Sequence, residues 1–222
     1  MAHQNPSVAG EDSARSKLIT TAIILFAEYG TRGISLRKIT RDSGQKNDAA
    51  VRYHFNGKEG LLDACVEKVA ELLLPSQTAA MVKLRKIEEQ GDMALRHVIM
   101  AEFYPLVSMF ESSDFGASCI RFIARMIREE EAFGQRLLVK HFMNRILAIE
   151  AYLARMLPNK TPQTIRFHHF LAINAMVNGL ADRELLAQLP PVHPENSEFE
   201  LTADERAVGF IEYLVGGMQS GH

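Results

Sequence analysis

Cysteine is scarce in this chain, with two residues in 222, Cys65 and Cys119. Two thiols so far apart in sequence support neither a disulfide framework nor a cysteine-rich zinc site; they read as small buried apolar residues in a reducing compartment. Long apolar runs are missing as well. Residues 1–12 hold no apolar core of signal-peptide length, and no stretch approaches the roughly 20 apolar residues of a membrane span. A cytoplasmic protein with no membrane partner is therefore expected. No strand alternation, internal repeat or low-complexity tract is present. The usual signatures of enzymes are equally absent: no G-x-S-x-G elbow, phosphate-binding loop or dinucleotide fingerprint occurs. His168 and His169 are adjacent, so on a helix they point about 100° apart and cannot share a metal as an i, i+4 pair does. Nothing in the spacing of His97, Cys119 and His141 builds a metal site, and the acidic run from Glu129 to Glu131 reads as carboxylates at a helix start. No cofactor, metal or catalytic residue is expected.

What the chain does have is an ordinary globular composition, 47% hydrophobic and 23% charged, enough for a substantial core. Its formal net charge of −2 is unevenly spread: residues 13–60 carry +5 and residues 61–222 carry −5. A basic end on an acidic body suggests that the first segment meets a polyanion; scattered solvated lysines and arginines are the alternative.

Apolar spacing is helical nearly throughout. Leu18, Ala22, Leu25, Phe26 and Tyr29 make one stripe, which Gly30 ends. Ser35 caps a second helix that carries Leu36 and Ile39 inward, and Gly44 supplies a sharp turn. A third helix from about Asn47 to Phe55 turns Val51 and Phe55 to the core. Asn56, with Glu59 three residues on, reads as the capped start of a fourth helix running through Leu61, Leu62, Cys65 and Val69 towards Pro75. Longer helices are expected near residues 76–89, 92–110, 114–128 and 131–157. Thr161 and Pro162 open another that reaches about Leu189, and the prolines at 190, 191 and 194 make residues 189–201 an exposed connection. Thr202 and Glu205 form a capping box before a last helix that ends at Gly216 and Gly217. The expected fold is all-α. A disordered tail over residues 1–12 precedes a three-helix helix-turn-helix head over residues 13–60. A connector helix joins that head to a larger C-terminal helical bundle within residues 61–222.

A short helix after a glycine turn presents its N-terminal residues to base edges when it enters the major groove, while flanking residues hold phosphates. Lys46, Asn47, Asp48 and Ala49 are the candidates for base contact: Asn pairs with adenine, Asp accepts from cytosine, and Ala touches a thymine methyl. Asp48 as a helix cap is the alternative. Arg52 reads guanine or holds phosphate. Ser35, Arg37, Tyr53, His54 and Lys58 are candidate backbone anchors, although Tyr53 packed on the fourth helix and His54 as a core-edge histidine are competing readings.

Residues 34–61, ISLRKITRDSGQKNDAAVRYHFNGKEGL, resemble the helix-turn-helix signature of the TetR family. The match lies in Ser35, Leu36, Arg37 and Ile39, in Gly44 at the turn, in Val51 with Tyr53, His54 and Phe55, and in Lys58 with Glu59. Phe26-Ala27-Glu28-Tyr29-Gly30 resembles the exit of that family's first helix. The chain departs from the pattern by one additional residue between Gly44 and Phe55 and by Thr40 where alanine is usual. The resemblance implies phosphate contact by His54 and Lys58. It also implies a homodimer whose heads read a palindromic operator in double-stranded DNA, and a small-molecule effector that releases it, most often as a repressor.

Met100, Phe103, Tyr104, Val107, Phe115, Cys119, Phe122, Met126, Phe142, Ile146 and Met176 supply a bulky apolar interior from which a lipophilic effector pocket can be built; plain core is the alternative. Phe110 adds to the same bulk, and Arg121 and Arg125 lie one helical turn apart, either to clamp an anion or to pair with Glu129. Ala172, Ala175 and Gly179 permit close helix approach, and Phe210, Ile211, Leu214 and Met218 form an apolar stripe. Together they are the candidate dimer interface, unless both stripes are buried within one subunit. Two other functions stay open: a helical small-molecule-binding protein with a vestigial head, and an all-α enzyme.

Overall fold

The structure, a computed structural model, describes residues 6–45, 49–188 and 202–220. Its regular elements among these residues are helices: α1 (Pro6–Tyr29), α2 (Leu36–Asp42), α3 (Ala50–Phe55), α4 (Lys58–Glu89), α5 (Leu95–Ser112), α6 (Asp114–Glu129), α7 (Glu131–Met156), α8 (Pro162–Ala181), α9 (Arg183–Gln188) and α10 (Ala203–Gln219). They divide into two compact units, Met1–Leu74 with Met109–Met143, and Pro75–Ser108 with Asn144–His222.

The first unit is organised by α1. Leu18, Ala22, Leu25 and Phe26 are buried as their spacing requires, and α1 packs on α2 and α6. Phe26 stacks on Phe122 of α6 with ring centroids 6.0 Å apart, a contact worth about 1 kcal/mol beyond its buried area. Two short helices cannot cover the stripe of a 24-residue helix, so α6 joins the head, whose compact unit extends well past residues 13–60. Tyr29 departs from the expected stripe: it is 54% exposed, and the Lys38 ammonium lies 5.8 Å from its ring centroid. Residues 6–12, expected as tail, form the first turns of α1, with Pro6 at the helix start where its missing N–H costs nothing.

At the corner after α1, Gly30 takes φ +81°. The buried Thr31 donates its backbone N–H (2.7 Å) and hydroxyl (2.9 Å) to Oε2 of Glu129. Arg125 holds the other oxygen of that carboxylate at 2.9 Å, which is the pairing its spacing allowed. Glu129 thus ends α6 and ties it to the head, instead of opening a helix as expected. Burial alone raises its pKa, but the Thr31 and Arg125 hydrogen bonds outweigh that and hold it below the ordinary carboxylate value. Asp63 of α4 is held low in the same way: burial raises it, while His141 (2.7 Å) and Lys140 (2.6 Å) of α7 more than compensate. Cys65 and Cys119 are both buried free thiols; burial pushes both up, Cys119 to about 12, which disfavours the thiolate form.

The connector is one helix of 32 residues with Pro75 inside it, not two helices separated there. A proline inside a helix costs about 3 kcal/mol, and buried Leu73 and Leu84 on either side supply the packing that offsets it. Asn56 is also reassigned. It sits in the left-handed region (φ 56°) as the C-cap of α3, a conformation asparagine tolerates, and does not cap α4.

In the second unit Val98, Phe103, Ile149, Leu153, Ile165, Ala172, Met176, Leu214 and Met218 share one core. Phe103 meets Phe210 edge-on at 6.0 Å. Thr161 caps α8 with Pro162 following, and Thr202 with Glu205 forms the capping box of α10, both as expected. Two ends differ. α8 stops at Ala181, with Asp182 as its C-cap and the short α9 beyond, and α10 continues through Gly216 and Gly217 to Gln219. Burial of Met218 to 3% exposure rewards that extra turn. The proline-rich connection at 189–201 lies outside the described residues.

Candidate nucleic-acid interface

The helix-turn-helix is built by local chemistry. Ser35, in extended backbone, accepts the Lys38 N–H at 3.2 Å and so caps α2. At the other end Gly44 has φ +75°, its N–H donates to the Arg41 carbonyl (3.0 Å), and the Gln45 N–H donates to the Thr40 carbonyl (3.1 Å). This pair of bonds is a Schellman motif, and only glycine takes its left-handed position without strain. Thr40, where alanine is usual in the family, is fully buried and satisfies its hydroxyl on the Leu36 carbonyl at 3.0 Å. On the outer face of α2, Lys38 and Arg41 both pair with Asp42 (2.6 and 3.2 Å), and the Lys38 hydrogen bond chiefly lowers the Asp42 pKa.

Val51 and Phe55 of α3 are buried, as expected. The opposite face carries Arg52 and Tyr53 into solvent; Tyr53 is 74% exposed, which argues against its packing on α4. Tyr53 meets the half-buried His54 edge-on at 5.0 Å. Lys58, half-buried, opens α4. Among the described residues neither Arg52 nor Lys58 has an ion-pair partner. Ser35, Arg37 and Ala49 are exposed. Lys46, Asn47 and Asp48 lie outside the described residues.

Gly60 went unrecognised by spacing alone. A Cβ there would overlap the Phe55 carbonyl oxygen, so the first turn of α4 presses directly against the end of α3. Arg15, on α1, also had no motif to flag it; its guanidinium carbon lies 5.3 Å from the Phe55 ring centroid.

The candidate effector lining draws on both units. Phe115, Cys119, Phe122, Met126 and Phe142 belong to the first unit; Met100, Phe103, Tyr104, Val107, Ile146 and Met176 belong to the second. Phe122, Cys119 and Met126 are core of one unit, and Phe103 and Met176 core of the other. Tyr104 is 66% exposed and Met100 40%, so these two face solvent and not an interior. The candidate dimer stripes also turn inward: Ala172, Leu214 and Met218 are buried within the chain, and Ala175, Phe210 and Ile211 pack against the same core. Only Gly179 of that set is exposed; the apolar side chains that α8 and α10 expose are Phe167, Phe170, Leu171, Val208 and Tyr213.

The second unit holds a charged cluster that composition did not announce, with Glu102, Arg145, Glu150 and His169 largely buried and Arg166 exposed. Arg145 donates to Glu102 (3.0 Å) and to the Ala101 carbonyl (2.6 Å), and Arg166 binds Glu150 through both carboxylate oxygens, holding the Glu150 pKa low. Between the carboxylates His169 is 2% exposed, with each ring nitrogen 3.8 Å from one of them and neither within hydrogen-bonding distance of a partner. Among the described residues no group of three His, Cys, Asp or Glu side chains could hold a metal ion, and no helix is long and apolar enough to cross a membrane.

A capped helix, a Schellman turn and a short second helix with one exposed face, among described residues whose regular elements are all helices, form a helix-turn-helix head. The family described as "Tetracyclin repressor-like, C-terminal domain" matches residues 100–213, just over half of the chain. A stretch of 59 residues is 37% identical to the "Probable HTH-type transcriptional regulator YttP" of Bacillus subtilis, covering 27% of this chain and 28% of that relative. The hemolysin II transcriptional regulator HlyIIR shares the fold, with a TM-score of 0.56 at 14% identity over 95% of this chain and 99% of that one. A transcriptional regulator from Rhodococcus sp. Rha1 does likewise, with a TM-score of 0.56 at 19% identity over 94% and 99%. The chain belongs to the TetR family of transcriptional regulators.

Proposed function

We propose that this regulator is a sequence-specific repressor that binds a palindromic DNA operator as a homodimer and is released from it by a small molecule. The observation that carries the DNA-binding part is the outer face of α3 with the start of α4. Arg52, Tyr53, His54 and Lys58 stand there beside the helix-turn-helix turn, and neither cation is neutralised by a carboxylate among the described residues. Lys46, Asn47, Asp48 and Ala49 precede them in sequence and are the candidates for base contact; Ser35 and Arg37, exposed at the start of α2, join Tyr53, His54 and Lys58 on phosphates.

Two heads about one DNA turn apart need a two-fold dimer. The exposed apolar side chains of α8 and α10 support subunit contact there, with Gly179 the member of the sequence-based set available at the surface. An effector acts by preferring the state that does not bind DNA, which requires several kcal/mol of differential affinity. The apolar residues that remain half-buried, Val107 and Ile146 in one unit and Phe115 and Phe142 in the other, are the members of the candidate lining with surface to offer it. The test is binding to DNA enriched from a random-sequence pool. Lys58→Ala is expected to weaken binding to all sequences alike, and Asn47→Ala to change the preferred sequence; identical behaviour of the two variants contradicts these roles.

A further inference from the structure

We infer that Arg15 is an additional DNA-phosphate contact, outside the helix-turn-helix, that belongs to the same interface as Lys58. The inference rests on the DNA-binding reading above and extends it to α1. Arg15 is exposed, and its guanidinium sits over the Phe55 ring at 5.3 Å. Phe55 is the last residue of α3, and its carbonyl is the surface against which Gly60, two residues beyond Lys58, is pressed. One side chain therefore gathers three elements: α3 supplies the ring, α4 packs on its carbonyl, and α1 lays a cation on its face. The Arg15 charge is also felt at the Cys65 thiol of α4, where it opposes the upward push of burial.

A guanidinium parked over a ring keeps most of its five N–H donors for a second partner, and the ring limits its rotamers. The ring restrains its orientation relative to α3, which a backbone clamp uses and a freely waving surface arginine does not provide. Among the described residues Arg15 has no carboxylate partner. A planar cation held in this way suits a phosphate diester, which it can grip through two parallel hydrogen bonds; it carries no information about base sequence.

The test uses the full chain and a DNA fragment that the wild-type protein has enriched from a random pool, with affinity measured across a salt series. Arg15→Ala is expected to weaken binding several-fold on that fragment and on its single-base variants alike. Its plot of log affinity against log salt should be shallower by about 1, the loss of one phosphate contact. Arg15→Lys, which keeps the charge and loses the planar stack, should retain the slope while recovering only part of the affinity. A thermal melt without DNA accompanies each variant; if Arg15→Ala melts out, Arg15→Gln against Arg15→Lys gives the same comparison with the side-chain stem retained. Unchanged affinity and slope overturn the inference, as does weaker binding at an unchanged slope, which marks a purely structural role. A changed ranking of the base variants also overturns it. A wild-type chain with no salt-dependent binding removes the DNA-binding reading itself and this inference with it, a result distinguishable from all of these.

Discussion

Two groups of cations, one in each unit, meet different surroundings. In the head, Arg52 and Lys58 stand at the end of the helix-turn-helix with no carboxylate partner among the described residues, and Arg15 rests on a ring. In the other unit three arginines are paired: Arg145 on Glu102, Arg166 on Glu150 and Arg155 on Glu88. A cation without a carboxylate partner is available to an outside anion, whereas a paired one is already neutralised; of the three pairs, Arg145–Glu102 is the one largely buried on both sides. Pairing does not alter the sum: the formal charge near zero arises because −5 on residues 61–222 offsets +5 on residues 13–60.

Substitutions can break this contrast from either side. The largest loss of stability is expected from Arg145→Met, which leaves Glu102 nearly buried and unpaired, at about 3–5 kcal/mol in a denaturant melt. A loss below about 1 kcal/mol would show that the cluster is not a structural pair. Gly60→Ala should come next, at about 1–3 kcal/mol, because its methyl collides with a carbonyl that cannot move without shifting α3. DNA binding should fall with it, since the same shift moves Tyr53 and Lys58. Glu129→Gln, which weakens the Thr31 and Arg125 bonds at a partly exposed site, should cost about 1 kcal/mol.

Acid should reveal the same groups together. Glu129, Glu150 and Asp63 have folded pKa values below their ordinary ones. Their stabilisation is therefore complete above about pH 4–5 and is lost as pH falls through the folded values. The melting temperature should drop on acidification below that range, and Glu129→Gln should flatten part of the drop; a melting temperature that rises there contradicts the assignment. Smallest of all should be Lys38→Ala, whose exposed pair with Asp42 should leave the melting temperature unchanged within error.

Much of the head was readable from sequence because its signals are local. Ser35 as a cap and Gly44 as a left-handed turn each follow from the chemistry of one residue type, and Thr202 with Glu205 did the same for α10. Failures occurred where tertiary packing overrode a local rule. Pro75 and the pair Gly216–Gly217 are helix-breaking by type, yet buried Leu73, Leu84 and Met218 carry the helices through them. The stripes on α8 and α10 were legible as apolar but not as facing inward, since periodicity says that a face is buried and not by what. Gly60, Arg15 and the Glu129–Thr31 tie were invisible for a related reason. Each depends on two segments meeting, from five residues apart to 98, and no pattern within one helix encodes that meeting.

The central claim is that the head, and not the body, meets DNA through uncompensated charge. Its most direct test is the salt dependence of wild-type binding to the enriched DNA fragment, compared with the variant Lys58→Ala. Wild-type binding should be steeply salt-dependent and sequence-selective, with a log–log slope that becomes shallower by about 1 in the variant. Binding that is absent, or that is indifferent to salt, would contradict it.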